Sequence, residues 1–202
     1  LLAQLFQYGA IAALVVFQPE LRSALARLGQ SRMMRIFQRM EESQVMDEIV
    51  EAVERLSRGR IGAIIALEQE VGLDEYAEKG SQIEARVSAD LLTTIFTPYS
   101  PLHDGAVLIA GDQIRAAGAI LPLTQYSVPD RSLGTRHRAA IGLSEETDAV
   151  VVVVSEETAR GSGARGGQIE LDVSSDRLRD ILKGVVPEAP SARGGPRRRA
   201  LA

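Results

Sequence analysis

The sequence contains no cysteine and no tryptophan. The absence of cysteine excludes disulfides, thiolate zinc sites and cysteine nucleophiles, and it fits a reducing compartment. With only four phenylalanines and four tyrosines, the chain has few rings on which single-stranded nucleic acid could stack. The net charge of −4 argues against a general nucleic-acid binder, whose surface would be strongly basic. We therefore expect no nucleic-acid partner, and any phosphate-binding site must be local.

Charged residues are also missing from the first stretch of the chain, LLAQLFQYGAIAALVVF, residues 1–17. A helix of this length is about 25 Å long, which is the lower limit for crossing a bilayer core. Arginines at positions 22, 27, 32, 35 and 39 follow, and arginines beside a membrane helix mark its cytoplasmic side. We predict that residues 1–17 are the end of a transmembrane helix. A buried helix and a signal peptide are the alternatives, although no basic region precedes the apolar run.

Three further regions follow this segment. Leu21, Leu25 and Leu28 have helical spacing, so residues 18–43 are interpreted as an amphipathic connector. Residues 187–202 mix Pro, Gly, Ala and Arg without apolar periodicity, which predicts a disordered tail. The globular domain is therefore expected at residues 44–186, with the chain at the cell membrane and this domain on the cytoplasmic side.

Hydrophobic periodicity indicates alternating helices and strands in that domain. Apolar runs joined by Gly111 and Asp112 predict an antiparallel hairpin. The glycine-rich run GSGARGG, residues 161–167, lacks the Lys-Ser/Thr of a P-loop and is interpreted as a flexible loop. The pattern predicts a single α/β (α+β) domain with a mixed, largely central β-sheet flanked by helices. We expect helices over 44–57, 89–96, 135–146 and 174–185, and strands over 60–68, 81–88, 106–110, 114–123, 149–154 and 168–173.

The first unusual group is His103-Asp104-Gly105, which stands immediately before a predicted strand. A carboxylate beside an imidazole can bind a divalent cation or accept a proton, and a glycine lets a ligand approach the backbone. The alternative is a plain turn in which Asp104 bonds nearby backbone and Gly105 supplies a positive φ.

The second group is Gly134-Thr135-Arg136-His137-Arg138, at the predicted start of a helix. Thr135 is a natural N-cap. Cationic side chains are disfavoured at a helix N-terminus, where backbone N–H groups already create positive charge. A bound polyphosphate would reverse that effect. The alternative is a solvated helix start whose charge is offset by acidic neighbours.

The third group is Ser155-Glu156-Glu157-Thr158, directly after five valines. In sheets covered by helices, ligands commonly bind beyond strand ends, and a hydroxyl with two carboxylates suits phosphate and metal. The same letters are also a common helix-capping pattern. A second copy at residues 144–147 closes a helix and is interpreted as structural.

Taken together, HDGA, GTRHRAAIGLSE and VVVVVSEET, with these spacings, resemble the diadenylate cyclase domain. The preceding FQPELRSALARLG is similar to the connector of the membrane-bound, CdaA-type class of that family. The resemblance covers residues 1–186. It implies condensation of two ATP molecules into cyclic di-AMP with release of two pyrophosphates.

The resemblance also implies a set of site residues. Asp104 would act on the ribose 3′-hydroxyl and hold a divalent metal ion, Mn²⁺, Mg²⁺ or Co²⁺, with His103 as a further metal ligand. The other implied contacts are Gly105 and Ala106 beside ribose and phosphates, Gly134, Thr135, Arg136, His137 and Arg138 on the triphosphate, Ser155 and Glu157 on phosphate or metal, and the backbone of Leu121 on adenine.

The implied partners are ATP, a second copy of the chain, the membrane and a regulatory membrane or cytoplasmic protein. Because the product joins two nucleotides symmetrically, two domains must face each other in a homodimer. Two other classes of function stay open at this point. One is a non-catalytic nucleotide-binding sensor or scaffold, and the other is a phosphodiesterase or ATP hydrolase, against which the lack of a dinuclear metal motif counts.

Overall fold

The computed structural model of the protein describes residues 32–126 and 133–183, with side chains from residue 43 onward. The predicted membrane segment 1–17, the connector up to residue 31 and the tail 187–202 lie outside the described residues. Within the described residues, no helix is both long and apolar enough to cross a membrane. The chain divides after Gln44 into two units, and the fold below is that of the second unit, residues 45–202.

Helices and strands alternate along this unit, as the periodicity predicts. Ser88 caps the third helix by accepting a hydrogen bond from the Leu91 N–H at 3.2 Å. Ser174 caps the last helix through the Arg177 N–H, also at 3.2 Å. The elements are α1 (Arg32–Gly59), β1 (Ala63–Leu67), α2 (Asp74–Ala77), β2 (Ser81–Arg86), α3 (Ala89–Phe96), β3 (Ala106–Ala110), β4 (Gln113–Ala119), α4 (Thr135–Glu146), β5 (Val150–Val154), β6 (Gly161–Arg165), β7 (Gln168–Glu170) and α5 (Ser175–Leu182).

The strands form one mixed seven-stranded sheet in the order β2-β4-β3-β1-β5-β6-β7. Strands β1 and β3 are parallel, with Ile65 opposite Val107. The other neighbouring pairs are antiparallel. The expected mixed sheet flanked by helices is therefore confirmed, including the β3–β4 hairpin.

Strands β1 and β5 lie at the middle of the sheet and are buried along their whole length. Alternate residues point to opposite faces, so each central strand supplies two cores. Ile65 and Val152 belong to the core shared with α1, α3 and α5, whereas Ile64 and Val153 belong to the core shared with α2 and α4. Each such side chain stabilises the fold by about 1.5–3 kcal/mol when fully buried, which makes this sheet a rigid base for the residues at its ends.

Four predictions about local structure were wrong, one of them the end of β4, which stops at Ala119 rather than at residue 123. The run 161–167 was expected to be a loop, but Gly161–Arg165 forms β6, paired antiparallel with β5. A side chain at Gly163 would lie 2.9 Å from Cδ1 of Ile181, so glycine is there because helix α5 packs closely over the strand. Thr135 was expected to be an N-cap, but Gly134 occupies that position and Thr135 is the first helical residue. The last strand ends at Glu170 rather than at residue 173.

Candidate active site

Four chain segments meet at one edge of the sheet. Strands β1 and β3 run in the same direction, while β4 and β5 run in the opposite direction. Ala63 at the start of β1 lies opposite Val154 at the end of β5, and Ala106 at the start of β3 lies opposite Ala119 at the end of β4. The topology therefore brings together the Asp104 loop, the residues after β4 and the Ser155 turn.

These segments and the N-terminus of α4 enclose a cleft of about 720 Å³, a volume typical of small-molecule sites. Its walls combine apolar side chains with acidic, cationic and hydroxyl groups. The lining residues are Ile64, Asp104, Gly105, Ala106, Gly118, Ala119, Ile120, Leu121, Leu123, Gly134, Thr135, Arg136, His137, Ala139, Val154, Ser155, Glu156 and Glu157.

Close packing between two glycines fixes the position of Asp104. Gly105 has a φ of +135°, and a Cβ built there would lie 2.5 Å from the carbonyl carbon of Gly118. Gly118 itself has a φ of +66°. The backbone of Gly118 can approach this closely only because Gly105 carries no side chain, whereas glycine at position 118 supplies the positive φ. Asp104 thus lines the cleft directly before a buried strand.

The N-terminus of α4 forms the cationic wall. Gly134 caps the helix with extended backbone and offers no side-chain acceptor, and the first turn contains no acidic residue. Its backbone N–H groups can therefore bind an anion. Thr135, Arg136 and His137 all line the cleft, and His137 is only 8% exposed.

The Ser155 turn closes the cleft on the β5 side. The Ser155 Oγ accepts a hydrogen bond from the Thr158 N–H at 3.2 Å, and its carbonyl accepts one from the Ala159 N–H at 2.9 Å. Ser155 therefore caps a single turn, as the capping interpretation proposed, and also lines the cleft together with Glu157. The structural and functional interpretations are compatible here.

Two residues implied by the family resemblance are not among those that line the cleft. The His103 Nδ1 lies 2.6 Å from the Ser100 carbonyl oxygen. Arg138 is exposed, and its carbonyl accepts the Thr124 N–H at 3.1 Å. The structure brings together the remaining predicted site residues.

The segment after β4 lies directly across α4, and this contact positions Leu121. A Cβ on Gly142 would lie 2.4 Å from the Pro122 carbonyl oxygen. The buried hydroxyl of Thr124 donates to the Glu145 Oε1 at 2.8 Å. Leu121 and Leu123 consequently form the apolar side of the cleft.

Sequence reasoning missed the ion pair that crosses the cleft. The Arg136 Nη1 donates to the Glu156 Oε2 at 3.0 Å, and both side chains lie against Gly62. Glu156 was one of the two carboxylates that the third group offered for phosphate or metal, but its pairing with Arg136 was not predicted, because the residues lie on different elements, 20 positions apart in the sequence. The other missed lining residues are glycine or apolar and carry no chemical signal: Ile64, Gly118, Ala119, Ile120, Leu123, Ala139 and Val154.

The acidic groups of the cleft suit a hard divalent cation. Asp104 and Glu157 supply carboxylates at the same cleft, and Mg²⁺ typically takes one or two carboxylates together with substrate phosphates. In residues 32–126 and 133–183 no group of three or more acidic or histidine side chains could hold a metal by itself. The residues therefore fit a metal that is bound jointly with a phosphorylated ligand.

Comparison with known proteins agrees with this geometry. A family model described as DisA bacterial checkpoint controller nucleotide-binding, DAC, matches residues 50–169. The chain is 42% identical over 182 residues to a protein of Listeria monocytogenes named diadenylate cyclase, covering 89% of this chain and 67% of that one. It is 40% identical over 189 residues to the cyclic di-AMP synthase CdaA of Bacillus subtilis, covering 91% and 68% of the two chains.

Solved structures give the same result. A crystal structure of a DacA double mutant from Staphylococcus aureus aligns with a TM-score of 0.69 at 41% identity, covering 72% of this chain and 97% of that one. A hypothetical membrane spanning protein from Bacillus cereus aligns with a TM-score of 0.63 at 38% identity, covering 80% of each chain. The fold, the cleft and these similarities lead to one assignment: the chain belongs to the DAC family, the diadenylate cyclases.

Proposed function

We propose that this chain is a diadenylate cyclase that condenses two ATP molecules into cyclic di-AMP and releases two pyrophosphates. One observation carries the proposal: a single cleft contains a carboxylate at Asp104, the cationic N-terminus of α4 and the Ser155 turn. These are the groups that a phosphoryl transfer from ATP requires. A sensor that only binds ATP could use the same groups, so the product formed from ATP distinguishes the two functions.

Each group has a role in the proposed reaction. Asp104 orients the ribose 3′-hydroxyl of one ATP and accepts its proton. The 3′-oxygen then bonds to the α-phosphorus of the other ATP, and the bond from that phosphorus to the pyrophosphate oxygen breaks. Thr135, Arg136, His137 and the N–H groups of α4 bind the triphosphate and stabilise the charge that develops on its oxygens. Gly134 ends the loop that leads into this turn.

The remaining residues position the nucleotide. Gly105 and Ala106 form the floor beside the ribose and phosphates, and the backbone of Leu121 contacts adenine. Ser155 and Glu157 contact phosphate or metal, and Arg138 adds positive charge near the triphosphate. The roles of Gly105, Ala106 and Arg138 are extended to this chain because these residues match the family's sequence pattern, whereas those of Leu121 and Glu157 rest on their position within the fold.

A divalent metal ion completes the proposed site. Asp104 and Glu157 would hold it jointly with phosphate oxygens, with His103 as a further candidate ligand; Mn²⁺, Mg²⁺ and Co²⁺ are the candidates. When bound, the metal neutralises phosphate charge as a Lewis acid. Asp104 still has to orient the hydroxyl, which is a task of the protein.

The active form is proposed to be a homodimer. One cleft presents one set of nucleotide-binding groups, whereas the product contains two nucleotides joined by two equivalent bonds. A two-fold axis between facing clefts places each 3′-hydroxyl near the other α-phosphorus. A monomer would therefore bind ATP and turn over poorly.

We also propose that residues 1–17 attach the chain to the cell membrane, with the catalytic domain on the cytoplasmic side. The support is the uncharged sequence of that segment and the arginines that follow it. Similarity to a protein described as membrane spanning agrees with this location. A membrane or cytoplasmic protein partner could then regulate the domain.

The test is Asp104→Asn. We expect loss of cyclic di-AMP synthesis, measured by chromatography after incubation with ATP and Mn²⁺ or Mg²⁺. Binding of ATP, measured by calorimetry, should be retained because the amide has the same shape and the cationic wall is unchanged. Full synthesis by the variant would contradict the role of Asp104, and loss of ATP binding would show that the substitution had damaged the site.

A further inference from the structure

Glu156 makes a contact that no part of the proposed reaction uses. Its Oε2 accepts a hydrogen bond from the Arg136 Nη1 at 3.0 Å. The side chain of Glu156 is 60% exposed, whereas that of Arg136 is only 28% exposed. The pair therefore reaches from the rim of the cleft to a half-buried guanidinium on the phosphate-binding wall.

The chain leaves room for this pair by having glycine at position 62. A Cβ there would lie 2.5 Å from the Arg136 Nη1 and 2.9 Å from the Glu156 Oε2. Both charged groups thus rest on the backbone that leads into β1. Contact on two sides limits the directions in which the long arginine side chain can point.

The contact leaves most of the guanidinium available. An arginine has five N–H donors in a planar fork, and the structure gives one donor atom, Nη1, to Glu156. The remaining donors can bind phosphate oxygens while the ion pair persists. Holding the guanidinium in one orientation in advance reduces the entropy that substrate binding must remove.

An arginine near the N-terminus of a helix also needs a counter-charge. The helix dipole disfavours a cation at this end, and the first turn of α4 contains no acidic residue. Glu156 supplies the missing negative charge from a different element. The partner is therefore suited to keep Arg136 at the helix N-terminus rather than to let it extend into solvent.

We propose that Glu156 is a positioning residue that orients Arg136 for the phosphates of the substrate. This inference rests on the proposed nucleotide site. Glu156 is assigned no contact with substrate and acts only through the guanidinium. The opposite possibility is that the carboxylate competes with phosphate for Arg136 and repels it.

Two variants separate these possibilities, with pyrophosphate in EDTA as the probe so that metal binding plays no part. Glu156→Gln keeps an oxygen that can accept the Arg136 hydrogen bond but loses the counter-charge, so its Kd should rise less than that of Glu156→Ala. Glu156→Ala releases the arginine, and its Kd should rise by about two- to tenfold, the cost of ordering one long side chain. Competition predicts tighter binding in both variants, which would overturn the proposal.

Further readouts exclude a general structural effect. Binding of adenosine, which has no phosphate, should be the same in all variants, and the Tm should not change. In an Arg136→Ala background, Glu156→Ala should have no additional effect on the Kd. Glu78→Ala is the matched control, because Glu78 is exposed and does not line the cleft; it should bind like the unsubstituted protein.

The failure of this inference can be distinguished from failure of the nucleotide site. If the unsubstituted protein binds pyrophosphate and Glu156→Ala binds it equally well, only the positioning role is overturned. If the unsubstituted protein binds neither pyrophosphate nor ATP, the nucleotide site is overturned and the positioning role with it.

Discussion

Gly105 and Gly118 pack backbone against backbone at the mouth of the cleft. A Cβ on Gly105 would lie 2.5 Å from the Gly118 carbonyl carbon and 2.8 Å from its Cα. The contact joins the start of β3 to the end of β4, and Asp104 precedes it directly in the chain. The position of the proposed catalytic residue therefore depends on the absence of a side chain at Gly105 and on the positive φ of Gly118.

Gly105→Ala should destabilise the domain and abolish synthesis. The methyl group would clash with backbone atoms that cannot rotate away, and a φ of +135° is strained for alanine. Overpacking and strain together should lower the free energy of unfolding by about 2–5 kcal/mol, measured by chemical denaturation. The matched control is Gly111→Ala in the β3–β4 turn. The φ of Gly111 is +59°, and a Cβ built there would have no neighbouring atom within 4 Å. The free energy of unfolding of that variant should fall by only about 1–2 kcal/mol. An equal fall in the two variants would contradict the packing argument.

Gly62→Ala should weaken nucleotide binding without unfolding the protein. The new methyl group meets the ends of the Arg136 and Glu156 side chains, which can move, so the Tm should change little. Displacement of the guanidinium should raise the KM for ATP by about tenfold, measured by steady-state product formation. Gly72→Ala is the control, because its Cβ would lie 3.3 Å from the Asp74 Oδ2 and Gly72 is not part of the cleft. An unchanged KM in Gly62→Ala would show that the guanidinium position is not critical.

Tyr76→Phe should remove a contribution to folding stability that the unsubstituted protein loses only at alkaline pH. Burial, with the hydrogen bond that Tyr76 donates to the Glu146 Oε2 at 2.8 Å, raises the pKa of Tyr76 to about 12. The unfolded pKa is about 10. Because the folded state has the higher pKa, this contribution is fully present below about pH 10 and is lost as the pH rises through about 12. The phenolate absorbance of the variant should lack the step near pH 12, and persistence of that step would assign it to another tyrosine.

The sequence predicted those elements whose local pattern agrees with their final environment. The all-valine run became β5 because a strand buried on both faces is apolar throughout, and the Gly111-Asp112 turn gave the hairpin. Strand β6 was missed because Gly161 and Gly163 are poor strand formers. The small size of Gly163 is explained by Ile181 of helix α5, 2.9 Å from a Cβ built there, and that of Gly161 by Val53 of helix α1, at 3.3 Å.

The candidate site could be predicted in its chemistry but not in its internal contacts. Asp104, the Gly134–Arg138 group and Ser155 were identified from unusual residue types at the ends of predicted elements. The contact of Arg136 with Glu156 depends on how α4 packs beside the end of β5, which sequence periodicity cannot specify. The exposed position of Arg138 also follows from how α4 packs: successive residues of a helix point about 100° apart around its axis, and the buried face is taken by Ala139 and Ala140.

Synthesis of cyclic di-AMP as a function of protein concentration tests the central claim most directly. The protein is incubated with ATP and Mn²⁺ or Mg²⁺ over a dilution series, and the nucleotides are separated by chromatography. We predict cyclic di-AMP and pyrophosphate as products, with a rate per subunit that rises with protein concentration as the two-fold dimer forms. ATP turnover to AMP or ADP alone, or no cyclic di-AMP at any protein concentration with either metal, would contradict the account.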